Sequence, residues 1–140
     1  AGLRSVERQS HSMAVTYLAP GLDATAFYPT VDLKFQNTRS SPVLVWTAVE
    51  GNRLTVSIYG SGKKPDVRID ITLKQTIRYD TREVFDRTLA PGQRVVEQVG
   101  VPGYVVASYR FFLEDGRVTR REPLAVDEYQ PRHEIVRVGY

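Results

Sequence analysis

The feature that most constrains the fold is a strict alternation. Val67, Ile69, Ile71 and Leu73 are apolar, and Arg68, Asp70, Thr72 and Lys74 are the polar residues between them. Side chains of successive strand residues point to opposite faces, so this period of two describes a strand with one dry face and one wet face. The same logic applies to Leu54, Val56 and Ile58, which alternate with Thr55, Ser57 and Tyr59. Pro42 to Val49 is rich in β-branched and aromatic residues, and Glu50-Gly51-Asn52-Arg53 joins it to residues 54–59 as a β-hairpin. Arg94 to Val99 and Tyr104 to Leu113 read as strands. Glu114-Asp115-Gly116-Arg117 then forms a tight turn, because Asp-Gly tolerates the positive φ angles it needs. Val118 to Glu122 is the return strand, and His133 to Val138 is a last one. Met13, Val15 and Tyr17 suggest a further strand, while Thr81 to Leu89 has weak helical spacing or forms a loop. The chain is expected to be mainly β.

Gly60-Ser61-Gly62-Lys63-Lys64-Pro65 is the clearest punctuation. Gly and Ser add backbone freedom and Pro cannot continue a ladder, so residues 61–66 read as a linker between domains 1–60 and 67–140. Residues 1–64 carry 7 Lys/Arg against 4 Asp/Glu, and residues 65–140 carry 12 against 12, so the net +3 lies in the first half. No basic stripe is present, which argues against nucleic acid as a partner. No apolar run is long enough to span a bilayer. There are no cysteines, which excludes disulfides, thiolate chemistry and Cys-based zinc sites within these residues. The opening Ala1-Gly2-Leu3 has neither an initiator Met nor a signal-peptide pattern, so the chain reads as an excised or mature fragment.

Three motifs in the first half carry a resemblance. Glu7-Arg8 with His11-Ser12, then Gly21-Leu22-Asp23-Ala24-Thr25, then Asp32-Leu33-Lys34-Phe35 with Asn37, resemble the C-terminal part of a VanW-like domain of bacterial envelope proteins. That family is named for a glycopeptide-resistance cluster. In the second half, Ala90-Pro91-Gly92-Gln93, Gly100-Val101-Pro102-Gly103 and Glu114-Asp115-Gly116-Arg117-Val118 resemble the G-five domain, with Gly92, Gly100, Gly103 and Gly116 matching its pattern. The resemblances imply a hairpin-rich partial VanW-like domain followed by an elongated, thin antiparallel β-module with little core. They also imply an extracytoplasmic place at the bacterial cell wall. The partner they imply is peptidoglycan or another N-acetylglucosamine-containing wall polysaccharide.

His11 is the candidate for acid–base work. Ser12 beside it is not thereby a nucleophile, because strand neighbours face opposite ways. Asp23 is placed to orient the imidazole, or equally to cap its own turn. The VanW resemblance implies a Cys upstream of these residues, so His11 and Asp23 would be half of a divided Cys/His site in a peptidoglycan-processing enzyme. Residues 1–140 alone are expected to be non-catalytic. Tyr104, Tyr109, Arg110 and Phe112 are the candidate saccharide contacts, because sugar rings stack on aromatic faces while neighbouring polar groups meet the hydroxyls. By parity Tyr109 and Phe111 share one face, and Tyr104, Arg110 and Phe112 the other; packing within the sheet is the competing reading. Trp46 reads as core of the first half. His133 beside Glu134 is the weak metal candidate, and no motif gathers ligands at metal spacing, so neither metal nor cofactor is expected. A structural stalk or adhesin is the third reading. Loss of the first half's natural cover is expected to cause association or reduced stability.

Overall fold

The computed structural model describes residues 2–140. Ten strands follow one another: β1 (Arg4–Glu7), β2 (Lys34–Gln36), β3 (Val43–Glu50), β4 (Arg53–Gly60), β5 (Asp66–Ile77), β6 (Thr81–Phe85), β7 (Arg94–Gln98), β8 (Gly103–Glu114), β9 (Arg117–Tyr129) and β10 (Glu134–Val138). No helix occurs among the described residues. The strands form four small sheets, β1-β2, β3-β4, β5-β8-β9 and β6-β10-β7. All pairings are antiparallel except β6–β10, which is parallel.

The hairpin of β3 and β4 closes through Gly51-Asn52, and that of β8 and β9 through Asp115-Gly116. Asp115 and Gly116 both have positive φ (48° and 74°), as the two-residue turn demands. The alternation at 67–73 is realised in β5, where Val67, Ile69, Ile71 and Leu73 pair with Phe112, Arg110, Ser108 and Val106 on one face. Three expectations are corrected. Thr81–Phe85 is a strand, held by β10, because long-range pairing overrides weak local spacing. Met13, Val15 and Tyr17 lie in no strand; that segment runs as an irregular cover over the sheet. Trp46 is 57% exposed, because it lies on the face of the β3–β4 hairpin opposite the one that Leu3 and Arg39 border.

Little of this chain is deeply buried. Leu3, Val106, Ala107, Tyr129 and Val136 are the buried apolar residues, and the accessible surface is 10515 Å². A compact monomer of this mass exposes about 7,300 Å², so the shape is open and the sheets are thin. Leu3, Val106 and Tyr129 are buried where residues 2–24 lie across the face of the β5-β8-β9 sheet that carries Val106 and Ser108, whereas Ala107 lies on the other face and Val136 in the β6-β10-β7 sheet. At Gly21 (φ +92°) an added Cβ would meet Val106 Cγ2 at 3.3 Å, so the loop approaches the sheet because this residue lacks a side chain. Gly103, at the start of β8, is tighter, because an added Cβ would stand 2.3 Å from the Tyr129 carbonyl oxygen. Gly103→Ala is expected to lower stability by about 3 kcal/mol, measured as a drop in the urea midpoint. An unchanged midpoint would show that this end of the sheet yields freely.

Candidate functional site

The densest polar cluster lies where the first sixty residues meet the β5-β8-β9 sheet. After β1 the chain passes Arg8 and His11, turns through Ala19-Pro20-Gly21, and returns along Asp23 to Thr25. Thr25 N–H donates to the Gln9 carbonyl at 2.7 Å, which brings the two passes together. This places the Asp23 carboxylate under His11. Oδ2 accepts the His11 backbone N–H at 2.7 Å and lies 2.8 Å from His11 Nδ1. Oδ1 accepts the Tyr129 hydroxyl at 2.5 Å. That hydroxyl in turn accepts the Gly21 N–H at 2.6 Å. Asp23 is 1% exposed and Tyr129 fully buried, whereas His11 is one-third exposed.

Arg8 ties the same loop to β9. Its Nη1 donates to both carboxylate oxygens of Asp127, at 2.9 and 2.8 Å, and its Nε donates to the Asp23 carbonyl at 2.7 Å. Arg8 Nη2 stands 3.7 Å from Asp23 Oδ1. Two further bonds extend the seam: Arg110 Nη1 to the Leu3 carbonyl at 2.6 Å, and Gln130 N–H to the Ser12 carbonyl at 2.7 Å. The Gly-Ser-Pro stretch therefore separates the halves in sequence, yet residues 2–24 dock on the second half in space.

The electrostatics follow from these contacts. Burial pushes the Asp23 carboxyl up, but the His11 N–H, the Tyr129 hydroxyl and the imidazole outweigh it and hold the group at about 2, from 3.8. Burial pushes the Tyr129 phenol up to about 12, and its bond to the Asp23 carboxylate adds to that. A carboxylate accepts and cannot donate, so Nδ1 carries the proton in the His11–Asp23 contact. In the neutral ring Nε2 is then left with a free lone pair. The arrangement is that of an oriented imidazole able to take a proton at Nε2.

The aromatic candidates are distributed as parity predicts. Tyr104, Arg110 and Phe112 lie on the face that residues 2–24 cross, and Tyr109 lies on the other. Tyr104 borders an apolar hollow with Ala14, Ala19, Ile71 and Leu73. Arg110 is held by Glu122, through Nε at 3.1 Å and Nη2 at 2.7 Å. Phe112 lies between guanidinium groups, with Arg120 3.9 Å and Arg110 5.1 Å from its ring centre. Arg121 covers Tyr109 at 3.9 Å. Beside Arg110 and Arg120, an open groove of about 480 Å³ runs between β1 and the β8–β9 hairpin, lined also by Arg4, Ser5, Thr38 and Glu122. His133 Nδ1 accepts the Asp80 N–H at 3.2 Å, and Glu134 is engaged by Thr81 at 3.0 Å.

Sequence reasoning picked out His11 and Asp23 but not Tyr129, Arg8 or Asp127. The only local signal is that Asp127 and Tyr129 stand two apart near the end of a strand, on one face. Their partners lie more than a hundred residues away in sequence.

Residues 1–59 match the family model "VanW like protein", and residues 69–140 match that of the G5 domain. The second match contains one more glycine than the four picked out above, Gly139. The uncharacterized protein YoaR of Bacillus subtilis (strain 168) is 38% identical over 61 residues, covering 44% of this chain and 20% of that protein. The chain thus spans about a fifth of that relative's length. Among solved structures, the crystal structure of HP0197-G5 is 18% identical with a TM-score of 0.32, covering 55% of this chain and all of that one. The IgA1 protease G5 domain is 26% identical with a TM-score of 0.37, covering 58% and 98%. VanW-like and G5 domains are typical of extracellular cell-envelope proteins. By a match over half its length, this chain belongs to the G5 domain family, and a VanW-like segment precedes that domain.

Proposed function

We propose that the chain is the wall-facing part of a cell-envelope protein, and that it binds peptidoglycan or another polymer containing N-acetylglucosamine without catalysing a reaction on its own. The observation that carries this reading is the open groove between β1 and the β8–β9 hairpin. There Arg4, Arg110, Arg120 and Glu122 offer both donors and acceptors, and Pro123 and Leu124 add apolar surface. Sugar hydroxyls need both kinds of partner, and amphipathic aromatics serve their apolar faces. Tyr104, on the same face, borders a separate hollow and would extend the contact, whereas Tyr109 lies on the opposite face beneath Arg121.

Co-sedimentation of residues 1–140 with purified peptidoglycan sacculi across a salt series tests the reading. Retention at high salt, competed by soluble N-acetylglucosamine oligomers, is the expected result. Arg4→Ala should weaken retention about fivefold, the worth of roughly one hydrogen bond. Retention that vanishes with salt would reduce the interaction to attraction by the net charge of +3, and absence of retention would overturn the reading.

The His11–Asp23 contact at 2.8 Å favours a second reading for the longer protein. Here His11 is the acid–base member of a site acting on wall peptide or amide bonds, and the nucleophile is the upstream Cys that the VanW resemblance implies. His11→Ala is then expected to abolish turnover by the longer protein. Normal turnover by a folded variant would sink this reading.

A further inference from the structure

The His11–Asp23 pair belongs to the VanW-like segment, but the group that completes it does not. Of the two carboxylate oxygens, Oδ2 is fully used by His11, through its backbone N–H and its ring. Oδ1 is held by the hydroxyl of Tyr129, at the end of β9 in the G5 domain. The direction of that bond is fixed. The hydroxyl accepts the Gly21 N–H, so its one proton is left to go to Asp23. The Tyr129 ring is wholly buried and cannot swing away. Gly21 cannot drift either, since it lies against Val106 of β8 with a backbone at φ +92°.

We propose that Tyr129 is a positioning residue for His11, so that the two domains share one acid–base site that neither builds alone. The G5 domain sets the orientation of the Asp23 carboxylate, and the carboxylate sets the ring tautomer and the direction in which Nε2 presents its lone pair. A substrate that gives up a proton at Nε2 would then meet an oriented base only while residues 2–24 lie docked on the β5-β8-β9 sheet. The catalytic use of this site rests on the second reading above. The positioning itself is measurable without turnover.

The test is nitrogen NMR of His11 in residues 1–140. In the unmodified chain the neutral ring should be the Nδ1–H tautomer, with a slowly exchanging Nδ1 proton. Tyr129→Phe keeps the ring and removes the hydroxyl. It should lose the slowly exchanging proton and give a mixture of tautomers, while β8 and β9 amide resonances stay in place. Asp127→Asn weakens the Arg8–Asp127 pair at the same seam but leaves the Tyr129–Asp23 bond and the Arg8 bond to the Asp23 carbonyl in place, and should leave the tautomer as it was. A tautomer unchanged in Tyr129→Phe overturns the proposal. So does an equal effect of Asp127→Asn, which would reduce Tyr129 to a docking contact. Should Tyr129→Phe fail to fold, 3-fluorotyrosine at position 129 alters the donor strength and keeps the shape. The His11 Nδ1 proton resonance must then shift, and an unmoved resonance overturns the proposal. Loss of the catalytic reading would appear elsewhere, as unaffected turnover by His11→Ala in the longer protein, with the tautomer result intact.

Discussion

Asp23→Ala is expected to lower the unfolding free energy of residues 1–140 by about 3–5 kcal/mol, among the larger effects a single substitution produces. The side chain is small, and its methylene contributes little packing. The loss comes from the groups left behind: a fully buried Tyr129 hydroxyl and the His11 N–H and ring, each stripped of its acceptor inside a thin core, and Arg8, which loses a nearby negative charge. Urea denaturation measures this directly. A shift in the midpoint below what about 1 kcal/mol would give would mean that water fills the vacated site and that the network contributes little.

The same network gives the pH dependence its sign. The folded-state pKa of Asp23 is depressed to about 2, so its stabilising effect is present above the unfolded value near 4 and is lost as pH falls toward 2. The folded-state pKa of Tyr129 is raised to about 12. Its effect is therefore present below the unfolded value near 10 and is lost as pH rises toward 12. Each shift of about two units corresponds to roughly 2–3 kcal/mol. The two share one hydrogen bond, so they do not add. Stability that falls at both extremes in the native chain, with both falls blunted in Tyr129→Phe, is the expected pattern.

The second large effect is expected from Arg8→Ala, about 3 kcal/mol. Arg8 donates through Nη1 to both carboxylate oxygens of Asp127, which is 8% exposed, and removing it leaves that carboxylate buried without its counter-charge. Arg8 also holds the Asp23 carbonyl, so the loop and β9 lose their link together. The double variant Arg8→Ala/Asp23→Ala should fall short of the summed single effects by more than about 1 kcal/mol, because residues in one network couple. Simple additivity would show two independent contacts rather than one seam.

Much of the fold was legible because it is written locally. The alternation in 67–73 and the Gly-Asn and Asp-Gly turns each specify a strand or a hairpin within a few residues, and β3, β4, β5, β8 and β9 follow from them. What was not legible depends on distant partners. Thr81–Phe85 has no strand pattern of its own and becomes one by pairing with β10, fifty residues on. Trp46 looks like core by composition, yet it lies on the exposed face of the β3–β4 hairpin. The His11–Asp23 contact was readable as a candidate, because both lie among turn residues in one short stretch. Tyr129 and Asp127 were not, because nothing in a strand's own sequence says which loop will be laid across it.

The account turns on the VanW-like segment and the G5 domain forming one docked unit at this seam. Native-state hydrogen exchange of the Gly21 and His11 amides tests that directly, since both donate into the seam, to Tyr129 and to Asp23. The account predicts that they exchange with the same opening free energy as Val106 and Ala107 in β8, and that Asp23→Ala releases them. Exchange of Gly21 and His11 at the rate of open loops, with β8 still protected, would contradict it.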